Sequence, residues 1–248
     1  VIARIPIRWL GIPPARFVVY NGLTSMSGNT LVGSETQPIH SHSPDYEQAV
    51  GLTATNSENI AVFLDQFIPF HPDTQALQLR KTIDPDHYYR SVRGLLDRVE
   101  RELGLRVVIA LHPRADYSDR PGILGDREMV AGRSAELIAR SRLVITHVST
   151  AIGMVVMFRK PILLVVTRDH YDLTPNHGPV FEQVAETMNI KLHFIDDPAT
   201  VDLSAAFQMD ETRYDRYVED YLRHPKAVPG QGLWQAVFGT AQQSLGAA

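Results

Sequence analysis

The sequence contains no cysteine, which excludes disulfides and thiolate metal sites and agrees with a reducing compartment. It lacks any apolar run near the ~18 residues that a membrane-spanning helix needs. The longest, Pro161-Ile162-Leu163-Leu164-Val165-Val166, has the length of a strand. No lysine or arginine block occurs, and a net charge of −4 leaves no basic footprint of the kind a nucleic-acid binder carries. Residues 1–9 interleave apolar residues with arginine and proline, so a secretory leader is not expected there. The chain opens at Val1 rather than methionine, and part of the native protein is therefore expected to be missing.

What is present is an ordinary globular composition. Of 248 residues, 44% are hydrophobic and 21% charged, enough to bury a full core. Residues 4–14, with three prolines, read as an extended connector, and Arg16 to Tyr20 as a short strand ending at the turn signal Asn21-Gly22. Residues 21–58 are rich in Gly, Ser, Thr and Asn and include Pro38 and Pro44, which predicts an irregular segment.

A strict alternation begins at Ile60. The continuous apolar run Ile60–Leu64 predicts a buried strand. Asp84 as cap and Pro85 at the first position open a helix. Tyr89, Val92, Leu96, Val99 and Leu103 give that helix one apolar face, and Gly104 stops it. Strands follow at 107–111, 143–146, 162–166 and 191–195, with helices expected at 134–141, 149–158 and 180–188. The pattern predicts an α/β fold: a doubly wound, mainly parallel sheet behind an irregular N-terminal region. The expected division is residues 1–58 and residues 59–248, the second part ending in helices from Asp210. Tyr214, Tyr217 and Tyr221 share a face of these helices, and Trp234 and Val237 are expected to pack back on the domain.

Ligands of open α/β sheets sit beyond the carboxyl ends of the strands, so the residues that follow each apolar run are the candidates. Asp65 follows the first. His112-Pro113-Arg114 follows the second, where Pro113 holds His112 extended and Arg114 offers a bidentate fork. His147-Val148-Ser149-Thr150 follows the third, and Thr167-Arg168-Asp169 the fourth. Ser149 and Thr150 stand where a helix is expected to begin, a favourable place for an anion. Ser149 as a simple helix cap is the plainer alternative. Arg133, Ser134 and Glu136 open the short helix before it. Glu136 reads either as part of a cap, one residue short of the usual box, or as an acceptor for ribose hydroxyls.

Asp65 is the first candidate for a catalytic base, with a turn-forming role as its alternative. The segment Ile39 to Tyr46 is the second. A metal at His40, His42 and Asp45 is not expected, because a His-x-His in a loop lacks further arranged ligands. His71, His170 and His177 read as loop residues.

Val108 to Arg114, Arg133 to Ile138, His147 to Ala151 and Lys160-Pro161 together resemble the C-terminal, nucleotide-binding domain of GT-B-fold glycosyltransferases of bacterial capsule and lipopolysaccharide synthesis. The His-Pro pair followed by a Ser/Thr motif is similar to bacterial sialyltransferases and polysialyltransferases. The resemblance implies a nucleotide-sugar donor, with a CMP-sugar favoured over a UDP-sugar, and no separate cofactor. It implies contacts from His112, Ser149 and Thr150 to the nucleotide phosphate and a catalytic part for His112. It further implies a glycan or lipid-linked glycan acceptor, and a cytoplasmic protein at the inner face of the membrane, held there peripherally through the missing region. A full GT-B enzyme has an N-terminal acceptor domain, and residues 1–58 are too few to supply one. A non-hydrolysing sugar-nucleotide epimerase and a non-catalytic nucleotide-sugar or glycan-binding partner are the competing readings.

Overall fold

The structure, a computed structural model, describes residues 11–26, 30–52, 57–72 and 82–246. The chain divides into two compact units: residues 1–51 with 215–248, and residues 52–214. The division at 58/59 expected from sequence thus differs from the spatial one, in which the last helix groups with the N-terminal segment.

Within the first unit, β1 (Phe17–Tyr20) pairs in parallel with β2 (Gln37–His40), and α1 (Pro44–Val50) follows. The segment expected to be irregular therefore holds a strand and a helix. Its two prolines sit where each element tolerates them: Pro38 in a two-stranded edge and Pro44 in the first turn of α1, where the Ser43 hydroxyl accepts from Tyr46 N at 3.2 Å. The C-terminal α8 (Leu233–Gly246) buries Leu233 and Ala236. Trp234, expected to pack inward, is instead 63% exposed and stacks on Phe238, a full turn along the same outer face. His42 places its two ring nitrogens 3.1 Å from the carbonyls of Ser43 and Gln231.

The second unit is a six-stranded sheet in the order β5-β4-β3-β6-β7-β8, every pair parallel. Its strands are β3 (Ile60–Leu64), β4 (Arg106–Leu111), β5 (Glu128–Ala131), β6 (Leu143–Thr146), β7 (Ile162–Val166) and β8 (Leu192–Phe194). β3, β6 and β7 are buried along their whole length, which their continuous apolar runs require. The short β5, with Glu128 and Met129, had no strand-like signature in the sequence and pairs only at the edge.

The helices are α2 (Pro85–Leu103), α3 (Ser134–Arg140), α4 (Ile152–Met157), α5 (Arg168–Tyr171) and α6 (His177–Met188), with α7 (Glu211–Tyr217) at the unit's end. Asp84 caps α2 by accepting from Asp86 N at 3.0 Å, and Gly104 ends it at φ 63°, a conformation that glycine adopts without a Cβ penalty. Tyr88, Val92, Leu95, Leu96 and Val99 of α2 form a core with Phe63, Ile109 and Ile145. The chain runs outward from β3 to β5, then returns to β6 and runs outward to β8. With right-handed crossovers, this reversal puts α2 on one face and α3, α4 and α6 on the other. Among the described residues, no helix is long and apolar enough to cross a membrane.

Candidate functional site

The reversal of winding falls between β3 and β6, the position at which open α/β sheets leave a crevice beyond their carboxyl ends. Pairing of Leu64 with both Ala110 and Thr146 sets Asp65, Leu111 and His147 level with one another. His112 stands one residue further out. Both histidines lie at the carboxyl edge, as the strand pattern predicts, yet in different surroundings.

His147 is fully buried. Its Nδ1 lies 2.7 Å from the Val165 carbonyl and its Nε2 2.7 Å from the Tyr88 hydroxyl. A carbonyl only accepts, so Nδ1 carries the proton, and the Tyr88 hydroxyl donates to Nε2. Burial lowers the His147 pKa to about 4 and raises that of Tyr88 well above its ordinary value, which keeps this tautomer in place. His147, a ligand-binding candidate by its place after the strand, is therefore corrected to a structural group. Its ring ties α2 to β6 and β7, and both its nitrogens are used.

Asp65 is likewise enclosed, at 4% exposure. Its Oδ1 accepts from Phe67 N at 3.0 Å and its Oδ2 from the Tyr117 hydroxyl at 3.0 Å. Tyr117 spends its one proton there, so the Tyr89 hydroxyl, 3.1 Å away, donates to Tyr117. Burial raises the Asp65 pKa against the opposing pull of these bonds. Phe67 takes a left-handed conformation at φ 54°, costly for a bulky residue, and the Asp65 carboxylate holds that turn. An Asp65 base reaching into the cleft is thus also corrected: the carboxylate points inward and shapes the loop after β3.

The outer candidates are arranged differently. His112 is half-buried, meets the His71 ring edge-on at 4.9 Å, and its Nδ1 accepts from Arg114 N at 3.2 Å. In a neutral ring this leaves the proton on Nε2, a donor. Pro113 and Arg114 are exposed in the turn that follows. Ser149 and Thr150 do not open a helix directly. α4 begins at Ile152, its cap position is Ala151, and the Ser149 hydroxyl accepts from Ala151 N at 3.2 Å within the preceding turn. Arg133, not Ser134, occupies the cap position of α3 and makes no side-chain cap bond. Its guanidinium instead pairs with Glu136 at 2.5–2.8 Å on the surface, so no capping box forms.

The crevice between β3 and β6 continues into a cavity of about 360 Å³ reaching from Gln66 and Val148 to Val180 and Phe181, within the size range of small-molecule sites. Gln66 Nε2 donates to the Val148 carbonyl at 2.6 Å and fixes the β3 loop to the β6 loop. His170 and His177, read from sequence as loop residues, line this cavity from α5 and the start of α6. Gly178 permits that arrangement, because a Cβ there would come within 2.6 Å of the Tyr171 ring. The signal missed in the sequence was the apolar company of His170: Leu173 and Phe181 follow at three and eleven residues, both buried. A larger cleft near Lys191 and Asp210 adjoins the amino end of β7, the edge of the sheet that open α/β folds do not use for ligands.

No family model matches this chain, and no curated protein matches it. Among solved structures it is similar to WaaG, a glycosyltransferase involved in lipopolysaccharide biosynthesis. The identity is 11% and the TM-score 0.37, over 90% of this chain and 61% of that one. The chain thus spans less than two thirds of that protein's length. Such a likeness concerns the course of the chain and carries nothing about its chemistry.

Proposed function

We propose that the 52–214 unit binds a nucleotide-activated sugar and serves as the donor-binding part of a glycosyltransferase whose acceptor is a glycan or lipid-linked glycan. The observation that carries this reading is the convergence at the reversal point. The Ser149–Thr150 turn, the Gln66–Val148 link and an adjoining cavity all meet where β3 and β6 end. In sugar transfer the bond from the anomeric carbon to the leaving phosphate oxygen breaks, and negative charge collects on that phosphate. Hydroxyls of Ser149 and Thr150 and the Nε2–H of His112 are the donors offered to that charge. His112 with its proton on Nε2 acts here as a donor rather than as a base. Arg114 adds positive charge near the same edge, where Arg133 stands paired with Glu136. A preference for CMP over UDP rests on the resemblance of the His112-Pro113 and Ser149-Thr150 pairs to bacterial sialyltransferases.

The test is calorimetric titration of CMP, UDP and GDP into the protein and into a Ser149→Ala, Thr150→Ala double variant. Each lost hydroxyl bond to a charged group is worth roughly 1.5–3 kcal/mol, so with two removed pyrimidine-nucleotide affinity is expected to fall at least about a hundredfold. The melting temperature without ligand should change little, because the Ser149 hydroxyl serves a single turn bond. Binding of GDP alone overturns the donor assignment. Undiminished affinity in the double variant overturns the phosphate site.

A further inference from the structure

The cavity beside the Ser149–Thr150 turn has a chemical character of its own. None of the nine described residues that line it is aspartate, glutamate, lysine or arginine. Its walls are apolar where Ile68, Val180 and Phe181 form them, and its polar groups are amides, a hydroxyl and imidazoles. Gln66 turns its Nε2 to the Val148 carbonyl, which leaves Oε1 as the accepting end of that amide. Thr174 Oγ1 and His177 Nδ1 lie 2.7 Å apart.

His170 is the unusual member. It is 5% exposed, packed edge-on between His147 and Phe181, and among the described residues its buried Nδ1 has no hydrogen-bond partner. Buried polar groups are in the large majority matched by protein, water or ligand. Burial and the neighbouring His147 and His177 hold the His170 pKa well below its ordinary value, so the ring adds no charge at neutral pH.

We infer that this cavity takes an uncharged, hydroxyl-bearing sugar ring, with His170 and Gln66 as hydrogen-bonding contacts, and that the donor sugar is a neutral hexose or N-acetylhexosamine rather than a carboxylated one. The inference rests on the nucleotide-sugar reading and departs from the sialyl preference drawn from the motifs. Among the described lining residues a carboxylate buried here would meet no cation, and burying an unpaired charge is strongly disfavoured. A polyol ring finds apolar contact on one side and convergent donors and acceptors on the other, the usual composition of a small-molecule site. Val148 lines the cavity and immediately precedes Ser149, so a sugar seated here lies next to the proposed phosphate contacts.

Two measurements on the full chain test this. In the first, UDP, UDP-glucose, UDP-N-acetylglucosamine, CMP and CMP-sialic acid are titrated into wild type, His170→Ala and Val180→Trp. Val180 is 44% exposed, so the tryptophan can fill the cavity without invading the core should His170→Ala fail to fold. The neutral sugar is expected to add about tenfold to nucleotide affinity, the sialic acid nothing, and Val180→Trp to abolish the increment while free-nucleotide affinity stays. In the second, free glucose and N-acetylglucosamine are titrated while the histidine ring resonances are followed by NMR, with saturable shifts expected at His170 and His177. Sugar-induced shifts without nucleotide binding would leave the cavity assignment standing and remove the donor reading. Nucleotide binding with no sugar increment and no ring shifts would do the reverse. An increment from the carboxylated donor equal to that of the neutral ones also overturns the inference.

Discussion

The two sides of the sheet's carboxyl edge use buried polar groups in opposite ways. Where β3 and β4 end, Asp65, Tyr117 and Tyr89 form a closed chain in which each described bond has a donor and an acceptor, and the outcome is a rigid, strained turn at Phe67. Where β6 and β7 end, the chain of Tyr88, His147 and Val165 is equally complete, but the next ring, His170, lines a cavity and has a buried nitrogen with no partner among the described residues. A satisfied network specifies structure, while a ring that lines a cavity and keeps an unmatched nitrogen has hydrogen-bonding capacity its own network does not use. The comparison teaches that burial alone does not separate scaffold from site.

The comparison can be broken in several ways. The largest effect is expected from His147→Ala, which deletes a packed ring and strands both the Tyr88 hydroxyl and the Val165 carbonyl. A loss of about 3–4 kcal/mol is expected in urea unfolding. A loss below about 1 kcal/mol would mean that the ring is not the tie between α2, β6 and β7.

The next effect is on pH dependence, and here the two sides should have opposite signs. His147 has a folded pKa of about 4 against an ordinary 6.5. Its contribution is therefore full above pH 6.5 and lost as the pH falls toward 4, amounting to about 3 kcal/mol over that window. His170 acts in the same direction. Asp65 is shifted upward from 3.8, so its contribution is full below that value and lost as the pH rises through the folded pKa. Unfolding measured from pH 4 to 7 should show stability rising with pH in the wild type. In Asp65→Asn the rise should be steeper, because the opposing carboxylate is gone. An unchanged or shallower slope in that variant would contradict the raised pKa.

The smallest effect concerns the exposed Arg133–Glu136 pair. Ion pairs in water contribute little to stability, so Arg133→Ala should leave the melting temperature unchanged. Weaker nucleotide binding in the same variant would assign the guanidinium to the ligand, and unaltered binding would leave it a surface pair.

Much of the sheet was legible because its signals are local. The continuous runs at 60–64, 107–111, 143–146 and 162–166 read as buried parallel strands, since strands covered on both faces need no alternation. Asp84, Pro85 and Gly104 marked the ends of α2 by cap chemistry. Pro38 and Pro44 misled, because whether a proline breaks an element depends on edge position and on the turn it occupies. The site was less legible. Position after a strand correctly gave the edge of the sheet, but not whether Asp65 and His147 face the cleft or the interior. That depends on which hydroxyl of α2 or of the loop after β4 arrives beside them.

The sequence by itself determined the parallel α/β architecture, the polar exits of its strands and the absence of any charge block, because periodicity, capping and composition are properties of short stretches. Only the tertiary structure decided which polar exits are consumed internally. Tyr88 lies 59 residues from His147, and Tyr117 lies 52 from Asp65. The cavity at His170 likewise exists only once β3, β6 and α6 meet. Hydrogen-bond partners separated so far along the chain leave no local trace, because proximity created by the winding of the sheet is not encoded within any single segment.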